Sequence, residues 1–210
     1  MNVWWYVNRS AGLVSWVLLA GSIILGLMLS SKAAGKKVRP NWIQDLHRGL
    51  SGLAVAFVGV HILGAVADSY VHFGWADVLV PFASSWNPLA VAWGIVTMYL
   101  LVAVEATSLA RKHIPKTLWK RIHILSFPLF VTATVHLITA GTDIANTIVI
   151  VLVAMLSAAI MGLTVFRVLD AMEAAKNPAP SRVPVRPAPA PPAPAPRDDA
   201  EWPRPRTGAF

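Results

Sequence analysis

The chain has 210 residues, of which 56% are hydrophobic and only 13% charged, and its mean hydropathy is +0.58. It has no cysteine, which excludes a disulfide framework, a thiolate zinc site, an iron-sulfur cluster held by its own cysteines and covalent c-type haem attachment. The net charge of +8 and pI near 10.3 raise nucleic acid as a partner. The basic residues, however, sit in short loops beside hydrophobic runs and in a tail, which is the pattern of membrane topology and not of a nucleic-acid-binding surface.

Five uncharged stretches are long enough to cross a hydrocarbon layer of roughly 30 Å at about 1.5 Å per residue. They run from Ala11 to Ser31, Gly49 to Ala67, Val78 to Val104, Ile122 to Thr142 and Ile144 to Phe166. The first competes with a signal-peptide reading, since Ser31-Lys32-Ala33 loosely resembles a cleavage site. Its length, and basic residues that follow it instead of preceding it, favour a retained span. The third stretch contains Pro81 and Asn87-Pro88. Its helix is expected to start near Pro88, where proline suits a first turn, leaving 68–87 as a loop with room for a short interfacial helix. The predicted fold is therefore an all-α integral membrane bundle of five transmembrane helices.

Charge orients the bundle. Lys32, Lys36, Lys37, Arg39 and Arg48 lie between the first two spans, and Arg111, Lys112, Lys116, Lys120 and Arg121 between the third and fourth. Arg167 and the basic tail follow the fifth. The loops 68–87 and 143 hold Asp68, Asp77 and Asp143 but no Lys or Arg. The positive-inside rule then puts the N-terminus outside, with Arg9 as its one basic residue, and the C-terminus in the cytoplasm. Trp4, Trp5, Trp42, Trp75, Trp86 and Trp119 fall near span boundaries, as interfacial anchors do. Eleven of the sixteen prolines lie between Pro178 and Pro205, so the chain divides into a membrane domain over 1–176 and a Pro/Ala/Arg-rich tail over 177–210, expected to be disordered and cytoplasmic. The expected location is a cell membrane, that of a bacterial inner membrane.

Four of the six histidines lie in spans two and four: His47 and His61, then His123 and His136. His72 and His113 are in loops. Spans two and four both run from the cytoplasm outward, so His47 is level with His123 near the inner face and His61 with His136 nearer the outer face. Separations of 14 and 13 residues correspond to about 21 and 20 Å along a helix, a spacing that suits two stacked porphyrins. Fourteen residues at about 100° each return to within about 40°, so His47 and His61 share a face, which also carries Ser51, Ala54 and Val58 with Gly52 and Gly59 at its margins. Thirteen residues leave His123 and His136 about 140° apart on an ideal helix. Span four must therefore be distorted or meet its two ligands' partners from different sides, and Pro128 is placed to kink it.

Two imidazoles on one iron make a six-coordinate, low-spin centre for electron transfer, whereas zinc needs three or four ligands in one place. The expected cofactors are two haems b, with His47, His61, His123 and His136 as metal ligands. Arg48 and Arg121 stand beside the inner ligands, where either propionate contact or simple positive-inside anchoring accounts for them. Glu105 is a candidate partner for one of them. The competing reading of each histidine alone is a polar residue hydrogen-bonded between helices.

The residues that carry these readings resemble the ferric reductase-like transmembrane domain family, the haem-bearing unit related to NADPH oxidases and to the haem-binding subunit of methionine sulfoxide reductase. The resemblance covers roughly residues 8–168. It rests on His-Arg-x-x-Gly at His47 with His61 fourteen residues on, and on Trp-Lys-Arg-x-His at Trp119 to His123 with His136 thirteen residues on. It implies that the earlier histidine of each helix serves the cytoplasmic-side haem and the later one the outer haem, and the unequal 14 and 13 spacing is shared with the oxidase branch. The family's reductases and oxidases carry a FAD and NAD(P)H module after the last helix, and here only the proline-rich tail follows. Electrons are then expected from a partner redox protein, a quinol or a loosely bound flavin such as FMN. The expected function is a di-haem b electron-transfer subunit, an oxidoreductase component, passing electrons to ferric iron, oxygen or a periplasmic redox protein. The alternatives are a haem-containing structural subunit of a respiratory or photosynthetic complex and a non-redox membrane scaffold or transporter.

Overall fold

The computed structural model describes residues 3–31, 40–69 and 71–176. The basic residues Lys32, Lys36, Lys37 and Arg39 and the proline-rich segment 177–210 lie outside the described residues. Among the described residues seven helices follow in order: α1 (Val3–Ser31), α2 (Pro40–Ala67), α3 (Trp75–Leu79), α4 (Pro88–Leu109), α5 (Lys116–His123), α6 (Ser126–Ala140) and α7 (Thr147–Lys176). Short 3-10 turns at Ala110–Lys112 and Thr142–Ala145 complete the set. Helices α1, α2, α4 and α7 and the combined α5–α6 segment are each long and apolar enough to span a bilayer. The chain is an all-α, multi-pass membrane protein.

Helix starts follow local chemistry. Asn87 precedes α4 in the left-handed region (φ 40°), a conformation that asparagine tolerates better than most residues. Pro88 then opens the helix, where its missing N–H costs nothing. The Asn87 side chain donates to the carbonyl of Thr139 at 3.2 Å, tying the start of α4 to the end of α6. The loop before α4 contains the short helix expected there, α3, whose entry is held by a reciprocal pair: the Gly74 N–H donates to the Asp77 carboxylate and the Asp77 N–H to the Gly74 carbonyl.

Span four is not one helix. It breaks at Ile124 and Leu125, between α5 and α6. Pro128 explains the break, because it has no N–H to offer the carbonyl four residues earlier, that of Ile124, and its ring clashes there. The Ile124 carbonyl instead accepts from Phe127 across a tighter turn at 3.2 Å.

The core lies where α1, α6 and α7 meet. Trp16, Ala20, Ile23 and Leu27 of α1 pack with Phe130 and Ala133 of α6 and with Val149, Val153 and Ile160 of α7. The rings of Trp16 and Phe130 lie 5.5 Å apart, and the Trp16 indole N–H donates to the Thr134 hydroxyl at 3.0 Å. Helix α2 packs along α1, and α6 along α4. Helix α1 packs against three other helices, α2, α6 and α7.

Two tethers close the ends of the bundle. At one end Arg9 of α1 forms a two-pronged ion pair with Asp143 of the turn before α7, with Nε to Oδ2 at 2.9 Å, and the guanidinium also sits 3.9 Å over the Trp5 ring. At the other, Arg167 of α7 donates to the carbonyl of Ser30 at 2.6 Å.

Candidate functional site

The backbones of α2 and of the α5–α6 segment make few contacts with each other, yet their histidines meet across the bundle in two pairs. The rings of His47 and His123 have centres 6.1 Å apart at 75°, and those of His61 and His136 are again 6.1 Å apart, at 77°. The break between α5 and α6 resolves the phase conflict of an ideal helix: His123 ends α5 and His136 belongs to α6, so the two rings no longer share one helical frame. Pro128 acts through this break near the inner histidine and not through a bend midway between the two.

Each ring is held by its Nδ1. That of His61 bonds the Asn8 carbonyl at 2.9 Å, that of His136 the Ala90 carbonyl at 2.8 Å, and that of His47 the Ser22 carbonyl at 2.8 Å. All three carbonyls belong to the adjacent helix, α1 or α4. A carbonyl only accepts, so Nδ1 carries the proton and the neutral ring presents a lone pair at Nε2. Fixing one imidazole nitrogen to a carbonyl in this way is what orients metal-ligating histidines. His123 differs: its Nδ1 lies 3.4 Å from the Ser108 hydroxyl, while its ring stacks on Trp119 with centres 4.9 Å apart at 24°.

Glycines make room for two of the four rings, those of His61 and His136, and a third glycine touches His47 at an ordinary contact distance. A Cβ at Gly12 would stand 2.9 Å from Nδ1 of His61, one at Gly26 3.4 Å from Cε1 of His47, and one at Gly94 2.7 Å from Cε1 of His136. The small face expected on α2 is only partly of this kind. Ser51 bonds the His47 carbonyl and the Ser22 hydroxyl, and Ala54 is buried, but a Cβ at Gly52 or Gly59 would meet no protein atom. The closely packed glycines stand on α1 and α4 instead. Sequence reasoning passed over them, although Gly12 and Gly26 are 14 residues apart on a helix antiparallel to α2 and so mirror the spacing of His61 and His47.

The outer pair opens into a cavity of about 430 Å³, within the size range of cofactor sites. His61, His136, Gly12 and Gly94 line it, and it extends inward to Ala54, Leu101 and Leu129 and outward to Trp86 and the Arg9–Asp143 pair. Its walls are mainly apolar side chains, with Arg9 the one Lys or Arg among the described residues that line it.

The flanking charges sort differently from the histidines. Arg48 and Arg121 are exposed and have no hydrogen-bond or ion-pair partner among the described residues, and Glu105 pairs with neither. Arg111 is exposed as well, but its guanidinium lies 4.4 Å over the Trp119 ring. His72 and His113 stay in exposed loops.

Among the described residues no group of three or more His, Cys, Asp or Glu side chains gathers to hold a metal ion. The donor set is thus two imidazoles per site, which suits a metal whose remaining positions are filled by a macrocycle and does not suit protein-held zinc. Comparison of the chain with family models, with curated proteins and with solved structures finds no match.

Proposed function

We propose that the chain is a di-haem b transmembrane electron-transfer subunit of the ferric reductase-like type, carrying electrons from a cytoplasmic or quinol donor to an outer-face acceptor such as ferric iron, oxygen or a periplasmic redox protein. The reading rests on one observation above the others, the repetition of the same histidine pair at two levels. Two imidazole nitrogens about 2.0 Å from a shared metal ion, each about 1.1 Å from its own ring centre, place the centres roughly 6 Å apart. A direct ring-to-ring hydrogen bond of about 2.9 Å would bring them to roughly 5 Å. Both pairs take 6.1 Å. The three Nδ1–carbonyl bonds join helices, as interhelical polar contacts also would, and they leave each Nε2 without a hydrogen bond among the described residues.

In this reading His47 and His123 hold the inner haem and His61 and His136 the outer. A haem held by either pair would supply a one-electron carrier. The chain's own residues set the conditions. The carbonyls of Ser22, Asn8 and Ala90 fix ring direction and raise imidazole basicity, and the glycines on α1 and α4 bring the neighbouring helices against the rings. Arg48 and Arg121, without partners among the described residues, are available to carboxylates at the inner face. Arg9, paired with Asp143, lines the outer cavity. The orientation follows from charge, with the N-terminus and the loops bearing Asp68, Asp77 and Asp143 outside, and the membrane is taken to be a bacterial inner membrane.

The test is spectroscopic. Protein purified in detergent should carry iron porphyrin, show a Soret band that shifts on dithionite reduction, and give a low-spin ferric resonance. Protein that folds as a helical bundle but binds no porphyrin, even when haem is supplied during expression, would remove the proposal and leave the histidines as interhelical polar contacts.

A further inference from the structure

Three of the four histidines share one mode of support, and the fourth does not. His47, His61 and His136 each place Nδ1 within 2.8–2.9 Å of a backbone carbonyl. His123 has only the Ser108 hydroxyl at 3.4 Å, beyond the usual range of an N–H···O bond. That hydroxyl already donates to the Val104 carbonyl at 2.7 Å. Among the described residues no glycine is packed against His123 either, and it stands at the last residue of the short helix α5. Left to these contacts alone the ring would be the least constrained of the four, yet its pair with His47 has the same 6.1 Å separation as the outer pair.

Among the described residues no tryptophan, tyrosine or phenylalanine ring stacks on the other three. Trp119, one turn earlier on α5, lies nearly parallel to the His123 ring at 4.9 Å, and Arg111 from the turn after α4 lies 4.4 Å over the same indole. The indole Nε1 is buried with no hydrogen-bond partner, so nothing on its polar edge explains where the ring sits. Its position comes from its faces.

Resting on the haem reading above, we infer that Trp119 is the positioning residue of His123: stacking replaces, at the inner site alone, the carbonyl that fixes the other three rings. Arg111 holds the indole in place by cation–π attraction and brings a positive charge to the inner site. Two consequences follow. The His123 imidazole gives up less of its Nδ1 proton than its counterparts, so it is the weaker electron donor to a metal. Together with the nearby guanidinium, this raises the potential of the inner haem above the value that a carbonyl-held His123 would give it.

The experiment compares Trp119→Phe, Trp119→Leu and Ser108→Ala in the full chain, read by redox titration and low-spin electron paramagnetic resonance. The unmodified protein comes first: absence of haem there rejects the haem reading itself, while two haems allow the inference to be tested separately. Trp119→Leu should broaden the resonance of the inner haem and lower its potential, or release that haem, with the outer haem unchanged. Trp119→Phe, which keeps a stacking ring and lacks Nε1–H, should restore the inner haem and most of its signature, and Ser108→Ala should change little. The inference is overturned if Trp119→Leu keeps the inner resonance and potential of the unmodified protein, if Trp119→Phe fails to restore what Trp119→Leu loses, or if Ser108→Ala has the larger effect.

Discussion

Gly94 of α4 lies so close to His136 of α6 that a Cβ added there would stand 2.7 Å from Cε1, 2.8 Å from Nδ1 and 3.1 Å from Nε2 of the ring. The ring has nowhere to retreat, because its Nδ1 is bonded to the Ala90 carbonyl of the same helix α4 at 2.8 Å. Gly94→Ala should therefore displace the imidazole and cost about 1–3 kcal/mol in overpacking, with loss of the outer haem and retention of the inner. Gly26→Ala is the control, since its Cβ would reach only 3.4 Å from His47. It should leave haem content unchanged. Haem-to-protein ratios of the two variants check the contrast.

Pro128 sets the second prediction. Pro128→Ala returns an N–H to the Ile124 carbonyl and removes the ring clash, so α5 and α6 can join into one helix. On a continuous helix His123 and His136 point about 140° apart. Helix α6 is anchored in the core through Leu129 and Phe130, whereas α5 has no buried residue, so α5 is the part that would rotate. The inner haem should fall well below the content of the unmodified protein while the outer haem persists. Equal retention of both would show that the break does not depend on Pro128.

The Arg9–Asp143 pair joins α1 to the turn before α7 beside the cavity, with the two side chains 25% and 33% exposed. At that exposure an ion pair contributes about 1 kcal/mol or less. Asp143→Asn should lower the thermal midpoint by only a few degrees, on the order expected for that energy. The exchanged double variant Arg9→Asp with Asp143→Arg should recover part of the loss. A double variant less stable than either single one would mean that Arg9 acts through Trp5 or the cavity and not through Asp143.

Much of this arrangement was legible in the residues. Five apolar runs, the start of α4 at Pro88 and the pairing of four histidines by depth all follow from hydropathy, proline stereochemistry and a 14-residue step on a helix. The mirrored step from Gly12 to Gly26 was equally visible, but glycine in a membrane helix has many uses, and only the antiparallel register of α1 against α2 gives these two a meaning. The carbonyls that hold the rings were not legible, because every residue has one and only packing selects those of Asn8, Ser22 and Ala90. Nor was the role of Arg111: sequence neighbours drew attention to Arg48 and Arg121, whereas the guanidinium that lies over Trp119 comes from another helix end. The break at Ile124 and Leu125 lay between these cases, since Pro128 announced a distortion without fixing where the helix would part.

The central claim, two haems in two histidine pairs, is tested most directly by counting haem per chain as each ligand is removed. The unmodified protein should hold about two haems with two resolvable potentials. His47→Ala and His123→Ala should each leave one haem with the potential of the outer site, and His61→Ala and His136→Ala should each leave one with that of the inner site. Because an empty pocket leaves a cavity that destabilises the bundle, the ratio is read on variants that remain folded. A ratio of one in the unmodified protein, unchanged by removing His61 or His136 and abolished by removing His47 or His123, would contradict the account.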